Sequence, residues 1–574
     1  MDVKKAILSV SILSRSFFIL LVLLFAQFSL LHAQDDATEL QRQQEREREL
    51  RQRLAPQPDI RLDAPAPLDM PHQLPTETPC FVIDRITLDG ERSEYFDWAL
   101  HAANPPDDPA IGQCLGTQGI AITLNRVQNA LLKRGYITTR VLLQPQDIRR
   151  GTLTLTLIPG RVSTIRQADE SQPTLPLQKA FPRRKHALLN LRDIEQAMEN
   201  LKRPPGADAD IQIHPASHPG AHPGESDLVV DWRQERRIRF GATLDDSGSK
   251  ATGKLQGGLT FAWDNPLWHN DLFYLSLQHD LGGGSEGSRG NKGYSIHYSL
   301  PFAWWALGLT TGVHDYHQEV QGSTQNYVYS GKSQNSELRL ERLLYRDRSR
   351  KTGIALAGWL RTSSNYLDDT EIQLQRRRMA GWLFGLNHLE YLGRSTLSAN
   401  LNYRRGTGAM GAIAAPEELS GEGTARPIIL RADARLEHPF TLGGRPLRYS
   451  AQWRAQWHHT PLIPQDRFAI GGRYTVRGFS GERVLSGERG WLLRNDLTTP
   501  LGNTGQQLYL GIDYGEISGP SRQYQGGDHL AGAVLGMRGG KAEVHYHVFI
   551  GVPLDKPGGF ESSAVTGFQL SFQP

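Results

Sequence analysis

The chain has 574 residues, of which 39% are hydrophobic and 22% charged, with a formal net charge of +4. Outside one stretch at the N-terminus no apolar run approaches the length of a bilayer-spanning helix, which excludes a helical membrane protein. The charge is too small for this length to point to nucleic acid.

Lys4, Lys5 and Arg15 precede the apolar run from Phe17 to Ala26, and the small Ala33 follows. This is the pattern of a cleaved export signal over residues 1–33, since the run is short for an anchor of about 20 residues. Export implies an oxidising compartment. With only two cysteines, Cys80 and Cys114 are expected to form one disulfide, worth roughly 4 kcal/mol in the chain-entropy picture.

Residues 34–55 read as a polar helix. Asp36 and Glu39 suit a capping box, and Glu47 with Arg51 and Glu49 with Arg53 suit i,i+4 pairs. A helix with almost no apolar face belongs in water or in a water-filled space. Residues 56–79 carry seven prolines and form an extended linker.

Cys80 opens a small α/β unit, residues 80–160. "FVIDRITLDG" predicts a strand, "TLNRVQNALLKRGY" a helix with Leu124, Val127 and Leu131 on one face, and "TTRVLL" a strand. In "TLTLTLI", Leu153, Leu155 and Leu157 alternate with threonines, as in a half-buried strand. Residues 161–233 repeat the pattern. Leu191, Ile194, Met198 and Leu201 stand at helical spacing after a cap at Asn190, and two strands follow.

From about residue 234 to 574 short alternating segments recur between turns rich in Gly, Asn and Asp. In "LRYSAQWRAQWH" the face Leu447, Tyr449, Ala451, Trp453, Ala455, Trp457 opposes Arg448, Ser450, Gln452, Arg454, Gln456, His458. A soluble sandwich buries such an apolar face, whereas a membrane barrel gives it to lipid and the polar face to a wet lumen. Arg and His on the polar face, Trp and Tyr near strand ends, and a length too great for one sandwich favour a transmembrane antiparallel β-barrel of about 16 strands.

Taken together, "PCFVIDRITLDG", "CLG", "NLRDIEQAMENLKRPPGADADIQIHP", "LDDSGSKATGKLQGGLTFAWDNPL" and "GERGWLLRNDL" resemble the outer-membrane transporters of two-partner secretion, the ShlB/FhaC/HecB haemolysin-activator family, which includes CdiB-like branches. The resemblance spans the mature chain. It implies two periplasmic POTRA modules, a plug helix, and a lumen-folded loop around 467–488 whose tip is Val476, Arg477, Gly478 and Phe479. A second family signature implies that Asp513 and Gly515 lie on the barrel wall, with Asp513 partnering Arg477. The aromatic position of that signature is Gly511 here, a departure from the pattern. On the motif alone, Arg477 would be a solvated residue of a surface turn.

The resemblance further implies export of a large exoprotein (a haemolysin, an adhesin or a contact-dependent inhibition toxin) from the periplasm without ATP. Partners would be that exoprotein, outer-membrane lipid, periplasmic chaperones and the barrel-assembly machinery. No enzyme activity, cofactor, metal or nucleic acid is expected. The alternatives are an insertase that assembles other barrels and a passive porin. "GGSEG" at 283–287 matches the elbow of serine hydrolases, but no helix is predicted after it, so a loop is expected. His214, His218 and His222 stand four apart, but the intervening prolines forbid the helix that would align them on a metal.

Overall fold

The computed structural model describes residues 38–54, 58–63, 65, 73–169, 177–182 and 185–573. The export signal, Asp36 and much of the Pro-rich linker lie outside these residues.

In the first α/β module the strand Arg85–Asp89 runs parallel to Thr152–Ile158, which pairs antiparallel with Arg140–Leu142. The alternating leucines Leu153, Leu155 and Leu157 are buried against Phe96, Val127 and Leu131. Each such side chain contributes about 1.5–3 kcal/mol on burial. "FVIDRITLDG" is not one strand. It breaks at Ile83 and Asp84 into Phe81–Val82, which pairs with Cys114–Leu115, and Arg85–Asp89. Cys80 and Cys114 are joined by a disulfide.

The first long helix, Thr117–Lys133, starts earlier than the sequence predicts. No local residue caps it. Instead Glu77, about forty residues upstream, accepts the N–H groups of Gly116 (2.9 Å), Gln118 (2.8 Å) and Gly119 (2.7 Å). Gly116 is required here, because a Cβ would lie 2.7 Å from the Glu77 carboxyl. Desolvation tends to raise the pKa of Glu77, but the three N–H donors outweigh it and hold the carboxyl below its ordinary value of 4.5. A depressed folded pKa adds stability that is complete above the unfolded value and is lost as pH falls through the folded one. Glu77→Gln is therefore expected to loosen the first turn of this helix at neutral pH and to flatten its response to acid. Hydrogen-exchange protection at Gly116, Gln118 and Gly119, corrected for intrinsic rates, measures this. Unchanged protection in the variant would refute it.

The second module repeats the arrangement. Arg161–Gln167 lies parallel to Glu225–Gln234, with Ala207–Pro215 antiparallel at the edge. Asn190 caps the helix Leu191–Leu201 by accepting the Arg192 N–H at 2.8 Å. The module sits on the rim of the barrel through a cluster of charges. Arg346 donates to Glu195 at 2.9 Å and to Glu199 at 3.0 Å. The linker joins the same cluster. The Ile60 and Leu62 N–H groups donate to Glu199 and Glu195, Lys351 reaches Asp59 at 2.7 Å, and Tyr391 donates to Asp59.

Sixteen long strands from Ile238–Asp245 to Val565–Phe572 form a closed antiparallel barrel, with the two-residue strand Thr370–Glu371 as a hairpin extension. Strands of eight to 21 residues, longer on average than the expected ten, alternate tight turns at one end with long loops at the other. Closure rests on four residue pairs between the first and last strands, from Gln569↔Asp245 to Phe572↔Ala242. The apolar face of the alternation points outward. Phe240, Leu259, Leu338 and Ile550 remain exposed, as a lipid-facing belt requires. The opposite face, with Ser276, His297, His314 and Gln456 buried among polar neighbours, lines the lumen. "GGSEG" lies in the loop between the third and fourth strands. His218 contacts Ser163 at 2.8 Å, and no cluster of metal-ligating residues occurs among the described residues.

Candidate functional site: a plugged lumen and a clasped loop

Residues 38–54 form a helix inside the barrel. The lumen wall takes its polar side chains. Arg454 donates to both oxygens of Glu45 at 3.0 Å, His314 meets Glu47 at 3.0 Å, and Arg46 donates to Gln256 at 2.8 Å. The N-terminal end touches the long loop, where Gln41 donates to the Arg467 carbonyl and Arg42 to that of Gly481. The pair Glu49–Arg53 forms at 3.5 Å, but Glu47 turns to His314 and Arg51 to Glu337. Glu39 is buried against Arg42, Arg46 and Thr252, and its expected capping partner Asp36 lies outside the described residues. The helix is also not wholly polar in its contacts: Leu50 and Leu54 pack on Ala262 and Tyr274.

The loop between the eleventh strand, Arg445–His458, and the twelfth, Arg489–Pro500, folds back into the lumen. At its tip Arg477 meets Asp513 of the thirteenth strand, Gln507–Ser518. The backbone N–H and Nε of Arg477 donate to Asp513 Oδ2 at 2.9 and 2.7 Å, and Nη2 donates to Oδ1 at 2.7 Å. Asp513 is completely buried. Such a bidentate pair fixes the angle of the guanidinium as well as its position.

Sequence reasoning missed a third partner. Asp496 on the twelfth strand accepts Nη2 of Arg477 at 2.6 Å. It explains the departure at Gly511. A Cβ there would lie 2.6 Å from both Arg477 Nη2 and Asp496 Oδ1, so the second carboxylate occupies space that a larger residue would need. Gly515 likewise makes room for Val476, whose Cγ2 would be 2.9 Å from an added Cβ. Gly478 adopts φ +104, which favours glycine, and presses against Val552, Gly532 and Gly551. Phe479 is buried edge-on to Phe560, at 5.8 Å, in a cluster with Ile470, Leu485 and Leu530. Asp496 stands at a lumen-facing position inside "GERGWLLRNDL", and that parity was the available signal.

A second clasp, also missed, lies earlier in the loop. Asp466 is buried beside Arg361 at 2.6 Å and Arg404 at 3.3 Å. The loop is thus fixed to the strands on both sides of the lumen.

A family model described as haemolysin secretion/activation protein ShlB/FhaC/HecB matches residues 224–539, and POTRA models match 81–160 (ShlB-type) and 161–215. The chain belongs to this family. It is an outer-membrane transporter, with its N-terminal POTRA modules in the periplasm. It is 38% identical to outer membrane transporter CdiB-2 of Burkholderia pseudomallei over 93% of both chains. The structure of CdiB from Acinetobacter baumannii superposes with a TM-score of 0.83 at 30% identity, covering 94% of this transporter and 99% of that chain. CdiB from Escherichia coli gives a TM-score of 0.79 at 25% identity, covering 94% and 98%.

Proposed function

We propose that this transporter captures one large exoprotein in the periplasm and passes it unfolded through the barrel, with the helix at 38–54 as a removable plug and the Arg477–Asp513 clasp holding the loop. The relatives named CdiB favour a contact-dependent inhibition toxin as cargo. The observation that carries the reading is the plug itself. Its wall contacts are largely exchangeable polar pairs. The Arg454 and Glu45 side chains keep 14% and 25% of their surface exposed, so water can take the place of either partner when the helix withdraws. A permanent part of the wall would be welded by apolar packing instead.

Capture uses the sheet edges of the two modules. Ala207–Pro215 ends its sheet and can receive an extended segment through main-chain hydrogen bonds. Co-expression with a candidate large exoprotein, followed by assay of the culture medium, tests the reading. Export is expected from the full chain and none after deletion of either module, with barrel assembly intact. Continued export without the modules would reject the docking step, and a changed outer-membrane protein profile with no export would favour an insertase.

A further inference from the structure

Five arginines climb the lumen wall in a register too regular to be scattered charge. Arg494 on the twelfth strand pairs with Gln452, and Arg454 stands two residues further along that eleventh strand. Arg454 pairs with Asp433, and Arg431 stands one pair step beyond it on the tenth strand. Arg431 pairs with Asn402, with Arg404 again one step beyond on the ninth. Arg404 pairs with Leu383 of the eighth strand, and two further steps toward the extracellular end lead to Arg361 on the seventh. The series gains about one step per strand and ends at the loop-bearing mouth of the barrel.

The wall neutralises this series only in part: Asp433 faces Arg454 across the strand pair, and Asp496, two residues from Arg494, is engaged by Arg477. Arg431 donates to the neutral Gln456 at 2.7 Å, and Arg404 lies over the Trp359 ring at 3.8 Å. The carboxylate nearest Arg494 is Asp513 at 3.9 Å, already engaged by Arg477. The carboxylates hydrogen-bonded to the series come from elements that are not wall. Glu45 of the plug helix lies on Arg454, and Asp466 of the folded loop lies between Arg361 and Arg404. Buried Nη1 of Arg361 and Nε of Arg454 find no acceptor among the described residues. A cavity of about 280 Å³ beside the plug gives access to Arg454 and Arg494.

We propose that this arginine staircase is a carboxylate-binding track for the exported polypeptide, with Glu45 and Asp466 as its resting occupants. The proposal rests on the export reading above. An extended chain moving outward presents Asp and Glu side chains in succession. Each guanidinium can take one as it releases the last, so the chain is guided without being trapped at a single tight site. Withdrawal of the plug and displacement of the loop bare the whole series at once, and their return fills it again.

The test uses the purified full-length protein in planar bilayers, with oligoglutamate or oligolysine of equal length added on the periplasmic side. Oligoglutamate is expected to block the open current and oligolysine is not. In the double variant Arg431→Gln, Arg494→Gln the blocked dwell time is expected to fall by about tenfold or more, as loss of charge-assisted contacts implies. The double variant Arg431→Lys, Arg494→Lys keeps the charge and is expected to keep most of the block. Equal block by the two polymers on the wild-type chain would overturn the proposal, even if a variant failed to assemble. So would an unchanged dwell time in the glutamine variant. The block is read without cargo. A chain that prefers oligoglutamate yet exports nothing in cells would sink the export reading and leave the track standing, whereas a chain that exports without that preference loses the track alone.

Discussion

Asp513→Asn is expected to free the tip of the lumen loop and to stop export while leaving the barrel assembled. The substitution removes the charge from a carboxylate that accepts three hydrogen bonds from Arg477. Breaking a buried ion pair by removing one partner costs about 3–5 kcal/mol, because the other charge is left uncompensated. Here Asp496 remains 2.6 Å from Nη2 and offsets part of that cost. The loss should therefore fall toward the lower end for Asp513→Asn alone and grow when Asp496→Asn is added. Protease sensitivity of residues 459–488 in outer-membrane preparations, with cargo in the medium as a second readout, measures the effect. A loop that stays protected and a transporter that still exports would show that the clasp is dispensable. The same geometry changes what a charge swap can reveal. Arg477→Asp with Asp513→Arg places the introduced carboxylate beside that of Asp496, so the double swap is expected to recover little until Asp496 is neutralised too.

Removal of residues 34–55 is expected to raise ion conductance in planar bilayers several-fold, with heat-modifiable migration showing an intact barrel. A helix is about 10–12 Å across with its side chains, so its loss opens a water-filled bore of comparable width. The barrel should survive because its sixteen-strand ladder closes without the helix. The wall loses the packing of Leu50 and Leu54 on Ala262 and Tyr274 and a set of polar pairs that water can replace. A single change such as Glu45→Ala removes one of several parallel contacts and should raise only the frequency of brief openings. Unchanged conductance after the deletion would mean that the folded loop alone seals the lumen.

The barrel was legible because lipid and water impose opposite demands on successive residues. Leu447, Tyr449 and Trp453 could face only the bilayer once Arg448, Gln452 and Arg454 had to face water. The Arg477–Asp513 contact was suggested by resemblance, since nothing local ties residues 36 apart in sequence. What escaped notice has meaning only through a distant neighbour. Asp496 looked like one acid among many until strand pairing set it beside Asp513. Gly511 looked like a loss until the second carboxylate was seen to fill its space. Gly532 and Gly551 gain their role from the backbone of Gly478 pressing on them. The start of the helix at Thr117 was misplaced because its cap, Glu77, arrives from the linker. On the plug, the expected Glu47–Arg51 pair lost to His314, because the wall brings a better-placed partner than the helix surface offers.

The charge cluster at the barrel rim has a mechanical consequence. The chain leaves the plug at Leu54 and is held again at Asp59, by Lys351 and Tyr391, and at Ile60 and Leu62, by two glutamates of the second module. Five residues reach about 18 Å at full stretch, whereas a helix of this length needs about 25 Å to clear the rim. The tether is too short for the stopper to drop out while its far end stays fastened. Unblocking the conduit therefore requires the anchorage of Asp59 on Lys351 and Tyr391 to let go, and that of Ile60 on Glu199 with it, so the barrel rim and the second module hold the leash together.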